Sequence, residues 1–308
     1  MMKDKVWITG NGMVGKALAK KLSINDNYKL LITEKEYLDQ TDQEKTNNWV
    51  KENKPQIIII TSALVGGIQI NSKIPATFLY ENSMINLNII KSAHENGCKK
   101  IVFLGASCMY PKLGKQPFKE DLILDGKIED TNEGYGVSKI LGSKFIEMLN
   151  KQYNSSHISI IPAASYGPND CYDENKNHVI PALIQKLHEA KIKNKKSIKI
   201  WGTGKVKREF IHVDDMADGI IHILKNYNEK SPINLGTGEE ISIENLVFLI
   251  KKIVGYKGEI IFDKTKPDGI KRKILDNSKI KKLKWSPKIN LKDGITSSYE
   301  EYTEKIAS

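Results

Sequence analysis

The chain's clearest chemical signal is a tyrosine and a lysine four residues apart, in Tyr135-Gly-Val-Ser-Lys139. On a helix the two side chains share one face, so the ammonium can hold a ribose hydroxyl and lower the phenol's pKa, preparing Tyr135 as a general acid. Spacing alone proves little, because a chain with 12 Tyr and so many Lys makes about two such pairs by chance, and Tyr172 with Lys176 is a second. Placement separates them. Tyr135 opens a long amphipathic stretch, whereas Tyr172 lies in a loop of Gly, Asn and Asp where a pair would be solvated. Ser107 and Cys108, in Gly105-Ala106-Ser107-Cys108, follow the apolar run KIVFL and are candidates for hydrogen bonding and proton transfer. By base rate a free cysteine is a buried small hydrophobe, and His178, taken alone, reads as a loop histidine.

A second signal is Gly10-Asn11-Gly12-Met13-Val14-Gly15, directly after the strand-like KVWIT and before a helical pattern. Glycines there let the backbone approach a pyrophosphate while the helix N-terminus faces its charge, which is a dinucleotide-binding arrangement. At the end of the next strand Glu34 could bind ribose hydroxyls and Lys35 a 2′-phosphate, so both NAD and NADP fit. Gly202-Thr-Gly204-Lys205 fails as a phosphate loop because Lys199 and Val206 occupy the positions that need Gly and Ser or Thr. The six histidines show no metal-ligand spacing, and no metal is expected.

The elements behind these residues alternate. Short β-branched runs (KVWIT, YKLLIT, QIIIIT, KKIVFLG, HISIIP) are separated by helical patterns over residues 14–22, 41–53, 78–95 and 135–152. This predicts an α/β fold, a Rossmann-like doubly wound parallel sheet over residues 1–165. The rhythm breaks near Tyr166, and residues 166–308 are expected to form mainly a smaller, partly interleaved substrate lobe, with some segments returning to the sheet. With 308 residues, 40% hydrophobic and 28% charged, the chain can bury a large core. Three cysteines without a C-x-x-C spacing suit a reduced cytoplasmic protein, and no apolar run is long enough to span a bilayer. The net charge of +11 suggests a nucleic-acid partner, but only Arg208 and Arg272 are arginines, and the guanidinium forks that read bases are nearly absent. The basic charge concentrates in residues 191–208 (+8) and 251–288 (+9), which points to a basic lobe facing a small anionic ligand.

Taken in order, VGGIQINSKIPATFLYENSMINLNII, SCMYPKLGKQPFKED, NHVIPALIQKLHEA, IWGTGKVKREFIHVDDMA and KPDGIKRKILD closely resemble the GDP-L-fucose synthases, members of the extended short-chain dehydrogenase/reductases. The resemblance implies NADPH-dependent reduction of a GDP-linked 4-keto-6-deoxy sugar, hexose or heptose, in surface-polysaccharide precursor synthesis, with 3,5-epimerase activity as a possible companion. It implies that Tyr135 protonates the ketone oxygen, that Lys139 holds the ribose, and that Cys108 and His178 carry protons to and from the flanking carbons. Cofactor contacts would extend to Ala63, Val65, Leu104, Gly105, Ala106, Pro162, Ala163, Ala164, Ser165 and His178. Substrate contacts would include Ser107, Cys108, Tyr135, Val179, Lys186, Trp201, Arg208, Arg272 and Asp276, and a homodimer would use the helices after Glu81 and Tyr135. Three departures cluster at the site. Ala106 stands where the family has the first serine of Gly-Ser-Ser-Cys, Ala164 replaces a polar residue, and the glycine loop is one residue short and lacks a basic residue, which leaves NADH open beside NADPH. The competing readings are a nucleotide-sugar 4-epimerase or 4,6-dehydratase with tightly held NAD, and a catalytically silent dinucleotide-binding protein.

Overall fold

A computed structural model describes residues 3–24, 27–174, 176–266 and 268–307. In chain order, β1 (Asp4–Ile8), α1 (Met13–Ser23), β2 (Tyr28–Ile32), α2 (Gln43–Asn53) and β3 (Ile57–Ile60) are followed by α3 (Ile68–Lys73), α4 (Pro75–Glu95), β4 (Lys100–Leu104), α5 (Glu133–Tyr153) and β5 (Ile158–Pro162). Next come β6 (Ala164–Tyr166), α6 (Val179–Ile192), β7 (Ser197–Trp201), β8 (Lys207–Arg208), β9 (Phe210–His212), α7 (Val213–Asn226) and β10 (Ile233–Leu235). The chain ends with β11 (Ile241–Ser242), α8 (Ile243–Val254), β12 (Glu259–Asp263), β13 (Arg272–Lys273), α9 (Ser278–Lys282) and α10 (Leu291–Ala307). Among the described residues no helix is long and apolar enough to cross a membrane.

Six strands form one parallel sheet in the order β2-β1-β3-β4-β5-β10. Burial on both faces explains why its strands are continuous apolar runs and not alternating ones. Ile59 packs with Val6, Ile8, Val102 and Ile160 on the face covered by α1 and α7, while Ile58 and Ile60 pack with Trp7, Ile101 and Phe103 beneath α2, α4 and α5. Each fully buried isoleucine contributes about 1.5–3 kcal/mol to this arrangement. The helix at residues 68–73 was not expected from the sequence. Only six residues long, it carries too few turns to show an apolar period.

A second core, formed by Leu183, Ile184, Ile198, Ile200, Leu246, Ile250 and Tyr302, joins α6, α8 and α10 to the strand pair β7-β12. β8 sits between β11 and β13 in a small sheet. Its register pairs Arg272 with Lys207 and Lys273 with Arg208. The loop after Tyr110 is stitched to this region: Phe118 N–H donates to the Ile274 carbonyl at 2.9 Å, and Ile274 N–H donates to the Gln116 side chain at 3.1 Å.

Candidate active site

Ligands of open α/β sheets bind at the carboxyl ends of the strands, and the predicted residues lie there. The glycine loop joins β1 to α1. A Cβ on Gly15 would lie 1.8 Å from the Gly10 carbonyl oxygen, so only glycine allows the helix to start this close to the strand. A Cβ on Gly12, the N-cap residue, would meet nothing within 4 Å. The first turn, which includes Met13 and Val14, carries no acidic residue and no side-chain cap, so its N–H groups face open space with the dipole unopposed. Gly10 is pinned from β3's end, its N–H donating to Thr61 Oγ1 at 3.0 Å. These features fit a dinucleotide diphosphate. Asn11 donates to Glu34 at 2.7 Å, holding that carboxylate at the loop, and exposed Lys35 lies 3.9 Å from Glu81. Both remain available to a ribose or its phosphate.

Beyond β4, Ala106 is extended and Ser107–Met109 form a 3₁₀ turn. The chain thus curls after Ala106, and the Ser107 and Cys108 side chains lie half-buried on the turn. The Cys108 carbonyl abuts α5, 3.0 Å from where a Cβ on Gly136 would stand. Lys139 is 3% exposed and donates to the Leu104 carbonyl at 2.9 Å. Its nitrogen lies 5.1 Å from the Phe103 ring centre and 5.7 Å from that of Tyr135. Tyr135 packs edge-on against Phe78, and none of the described residues accepts or donates at its hydroxyl.

The electrostatics here also correct an expectation. Lys139 does not depress the phenol. Burial raises the Tyr135 pKa, with Cys108 adding to it, while burial pushes Lys139 itself down to about 8. The ammonium gives one of its three N–H groups to the Leu104 carbonyl, and desolvation penalises every charged form in the pocket. Burial likewise raises the Cys108 thiol, opposed by Lys273 and Lys139 and reinforced by Glu129. His178 caps α6 with no side-chain bond, and burial lowers its pKa. It reaches this edge because Gly67, in the loop after β3, donates to the Lys176 carbonyl at 3.0 Å. Ala63 and Val65 lie in that same loop, the latter 53% exposed. Pro162 ends β5, buried Ala163 turns the chain, and Ala164 and Ser165 begin β6, with Ala164 exposed.

In the second lobe, Val179 and Lys186 lie on α6, both exposed at the surface. Trp201, 58% exposed, ends β7 with the Lys266 ammonium 5.6 Å from its ring centre. Arg208 donates to the Ile270 carbonyl at 2.7 Å; burial lowers its pKa while Glu129 and Asp268 raise it. Asp276 is desolvated, yet Ser278 holds its carboxyl below the usual range. Arg272 is not brought to Arg208. Its guanidinium is paired with Glu240, which also binds Lys207 at 2.9 Å. Neighbouring residues of a strand face opposite ways, so the residue beside Arg208 is Lys273. Sequence reasoning missed Lys273 and its partner Glu129, 3.7 Å away. A period-2 reading of KRK would have raised Lys273, had the pairing of β8 with β13 been visible.

Residues 6–236 match the family model described as the NAD dependent epimerase/dehydratase family. A GDP-L-fucose synthase of Sinorhizobium fredii is 40% identical, over 98% of this chain and 96% of its own. Among solved structures, a GDP-6-OMe-4-keto-L-xylo-heptose reductase from C. jejuni superposes with a TM-score of 0.94 at 35% identity, covering 99% of both chains. A GDP-mannoheptose C4 reductase from Campylobacter jejuni with NADP bound gives 0.89 at 36% identity, covering 98% of this chain and 99% of the other. A dinucleotide-shaped glycine loop, a Tyr–Lys helix and this likeness over essentially the whole length agree: the chain belongs to the NAD dependent epimerase/dehydratase family, within its GDP-L-fucose synthase group.

Proposed function

We propose that the protein is an NADPH-dependent reductase of a GDP-linked 4-keto sugar, a 6-deoxyhexose or a heptose, that also exchanges protons on carbons beside the ketone, in surface-polysaccharide precursor synthesis. The observation that carries this reading is the meeting of Tyr135, Lys139 and Cys108 in one desolvated pocket beside a glycine loop fit for a dinucleotide diphosphate. A bound dihydronicotinamide supplies hydride. Tyr135, kept protonated by burial, donates its proton to the ketone oxygen, and Lys139 offers its remaining N–H groups to ribose hydroxyls. Burial drives the other two groups toward neutral forms as well. His178 is held as a free base and Cys108 as a thiol, an assignment of base and acid suited to removing and returning a proton next to a carbonyl.

On this reading Glu34, Lys35 and the glycine loop take the adenosine side of the cofactor. Trp201, Lys186, Arg208 and Asp276 take the guanosine diphosphate, with the exposed indole as a stacking face. Arg272 serves the fold of the small sheet instead. The missing serine hydroxyl at Ala106 leaves room for a bulkier sugar, in line with the heptose substrates named for the two structural relatives. A homodimer through α4 and α5 belongs to the same reading, supported by exposed Leu79 and Tyr80 on α4 and Val137, Leu141 and Met148 on α5. Its expected location is the cytoplasm. The test is a panel of GDP-4-keto hexoses and heptoses with NADPH or NADH, and, in deuterated water without reduced cofactor, deuterium uptake beside the ketone. Turnover with none of the panel overturns the reductase; absence of uptake overturns the exchange.

A further inference from the structure

We infer that Glu209 and Asn234 are positioning residues of the nucleotide site: from two separate elements they fix the backbone around Asp276, so that its carboxylate stands ready for the hydrogen-bond donors of a nucleoside diphosphate before the ligand arrives. The inference rests on the reading above that Arg208 and Asp276 hold the nucleotide. A carboxylate is repelled by phosphate. Within such a ligand Asp276 therefore serves the ribose hydroxyls or the base N–H groups, while Arg208 serves the phosphates.

The chain places Glu209 at a one-residue step. β8 ends at Arg208 and pairs with β11 and β13, β9 begins at Phe210 and pairs with β6, and Glu209 lies between the two ladders. It is 3% exposed. Its Oε2 accepts from Leu275 N–H at 2.8 Å, and its Oε1 accepts from Gly238 N–H at 2.7 Å and from Asn277 Nδ2 at 3.2 Å. Asp276 is thereby held through both of its neighbours. Gly236 makes room for the carboxylate, since a Cβ there would lie 2.2 Å from Oε1. Glu240 is a contrast. On the outer face of the β8-β13 pair it binds Lys207 and Arg272, whose side chains are 52% and 41% exposed, whereas the donors to Glu209 are uncharged. Burying a carboxylate without a cation is costly, and what it adds here is several charge-assisted bonds converging on one segment.

Asn234 reaches the same segment from β10 of the large sheet and is fully buried. Its Nδ2 donates to the Asp276 carbonyl at 3.0 Å and to the Phe118 carbonyl at 2.9 Å. The Phe118 carbonyl in turn accepts from Asp276 N–H at 2.8 Å. Buried Tyr110 sets the direction of the carboxamide, its hydroxyl donating to Asn234 Oδ1 at 2.6 Å. The Asp276 carboxylate is oriented as well, its Oδ1 accepting from Ser278 N–H at 2.8 Å. All this acts on an irregular stretch between β13 and α9. Surface loops ordinarily carry no such support, and ordering a binding group in advance removes an entropy cost that the ligand would otherwise meet. Because Glu209 directly follows Arg208, its carboxylate also fixes the spacing between the phosphate group's partner and the nucleoside's.

The test measures GDP and NADPH affinities of the whole protein by calorimetry. Asp276→Ala is expected to weaken GDP binding about 10- to 100-fold. Glu209→Gln keeps the shape but sets an amide NH2 against an N–H donor. It is expected to weaken GDP binding about tenfold with NADPH affinity unchanged, and with substrate the loss falls on KM more than on kcat. In an Asp276→Ala background Glu209→Gln should weaken GDP binding no further, because it acts through Asp276. A role in folding alone would lower the melting temperature without touching GDP affinity, or weaken GDP and NADPH together; either outcome overturns the inference. So does a tenfold loss that persists undiminished in the Asp276→Ala background. If Glu209→Gln does not fold, as judged by its melting curve, Tyr110→Phe decides by the same cycle, with an expected loss of about threefold. Normal GDP binding in Glu209→Gln beside a loss in Asp276→Ala overturns the positioning role alone. If Asp276→Ala keeps wild-type GDP affinity the inference falls, and if Arg208→Ala keeps it too the nucleotide reading falls with it.

Discussion

His157 and His178 stand at opposite ends of the parallel strands, and burial lowers the pKa of both. Their surroundings differ. His157 precedes β5; its Nδ1 accepts from the Ile101 N–H at 3.2 Å, and its own backbone N–H and carbonyl bond to Asn150 at 2.8 and 2.7 Å. His178 opens α6 with no side-chain bond at the cap; part of its surface is open to solvent, while its surroundings still desolvate it enough to lower its pKa. The amino edge of the sheet satisfies its polar groups internally. The carboxyl edge leaves them open, as at the free N–H groups behind Gly12 and the unpartnered Tyr135 hydroxyl. Polar groups left open at one edge and satisfied at the other leave the open edge ready for a ligand.

The contrast breaks most visibly at the carboxyl edge. Tyr135→Phe is expected to lower NADPH-dependent turnover by about 10²- to 10⁴-fold while fluorescence titration shows unchanged NADPH affinity and calorimetry an unchanged melting temperature. At the amino edge the sensitive quantity is stability. The folded-state pKa of His157 is about 4, below its ordinary 6.5, so the unfolded chain takes the proton first. The neutral ring's contribution is complete above about pH 6.5 and is lost as pH falls toward 4, amounting to about 3 kcal/mol. His157→Asn, whose amide oxygen can still accept from Ile101, should flatten this acid limb in urea titrations between pH 7 and 4.

Smaller effects sharpen the comparison within the glycine loop itself. Gly15→Ala, forced against the Gly10 carbonyl, should destabilise the fold by about 2–4 kcal/mol, read as a lower melting temperature. Gly12→Ala should leave melting unchanged and weaken NADPH binding, since its Cβ meets only the ligand's space. The smallest effect is expected on the outer face of the β8-β13 pair. Glu240→Gln should cost no more than about 1 kcal/mol and leave turnover intact, because exposed ion pairs are screened.

Much of the carboxyl edge was legible in the chain. The glycine loop and Tyr135-x-x-x-Lys139 are local patterns, and the isoleucine runs announce strands buried on both faces. What stayed hidden depends on partners distant in sequence. Whether Arg272 or Lys273 accompanies Arg208 turns on the register of two-residue strands more than sixty positions apart, and no periodicity can show in so short a run. The curl at Ser107–Met109 stayed hidden too, because three residues are too few to show a helical period. The direction of the Tyr135 shift depends on how far packing desolvates the phenol, with Cys108 beside it, which only the packed structure reveals.

The sixth strand carries a consequence for how the molecule is made. β10 lies against β5 in the sheet, yet it is reached only after β6, α6, β7, β8 and β9 have been made and α7 has returned to cover the sheet. On the ribosome, residues 158–162 emerge long before residues 233–235. In that interval β5 presents an unpaired apolar edge, the kind of surface that recruits other chains. Synthesis of β10, with much of the second lobe still to come, thus ends a window of aggregation risk for the cofactor sheet.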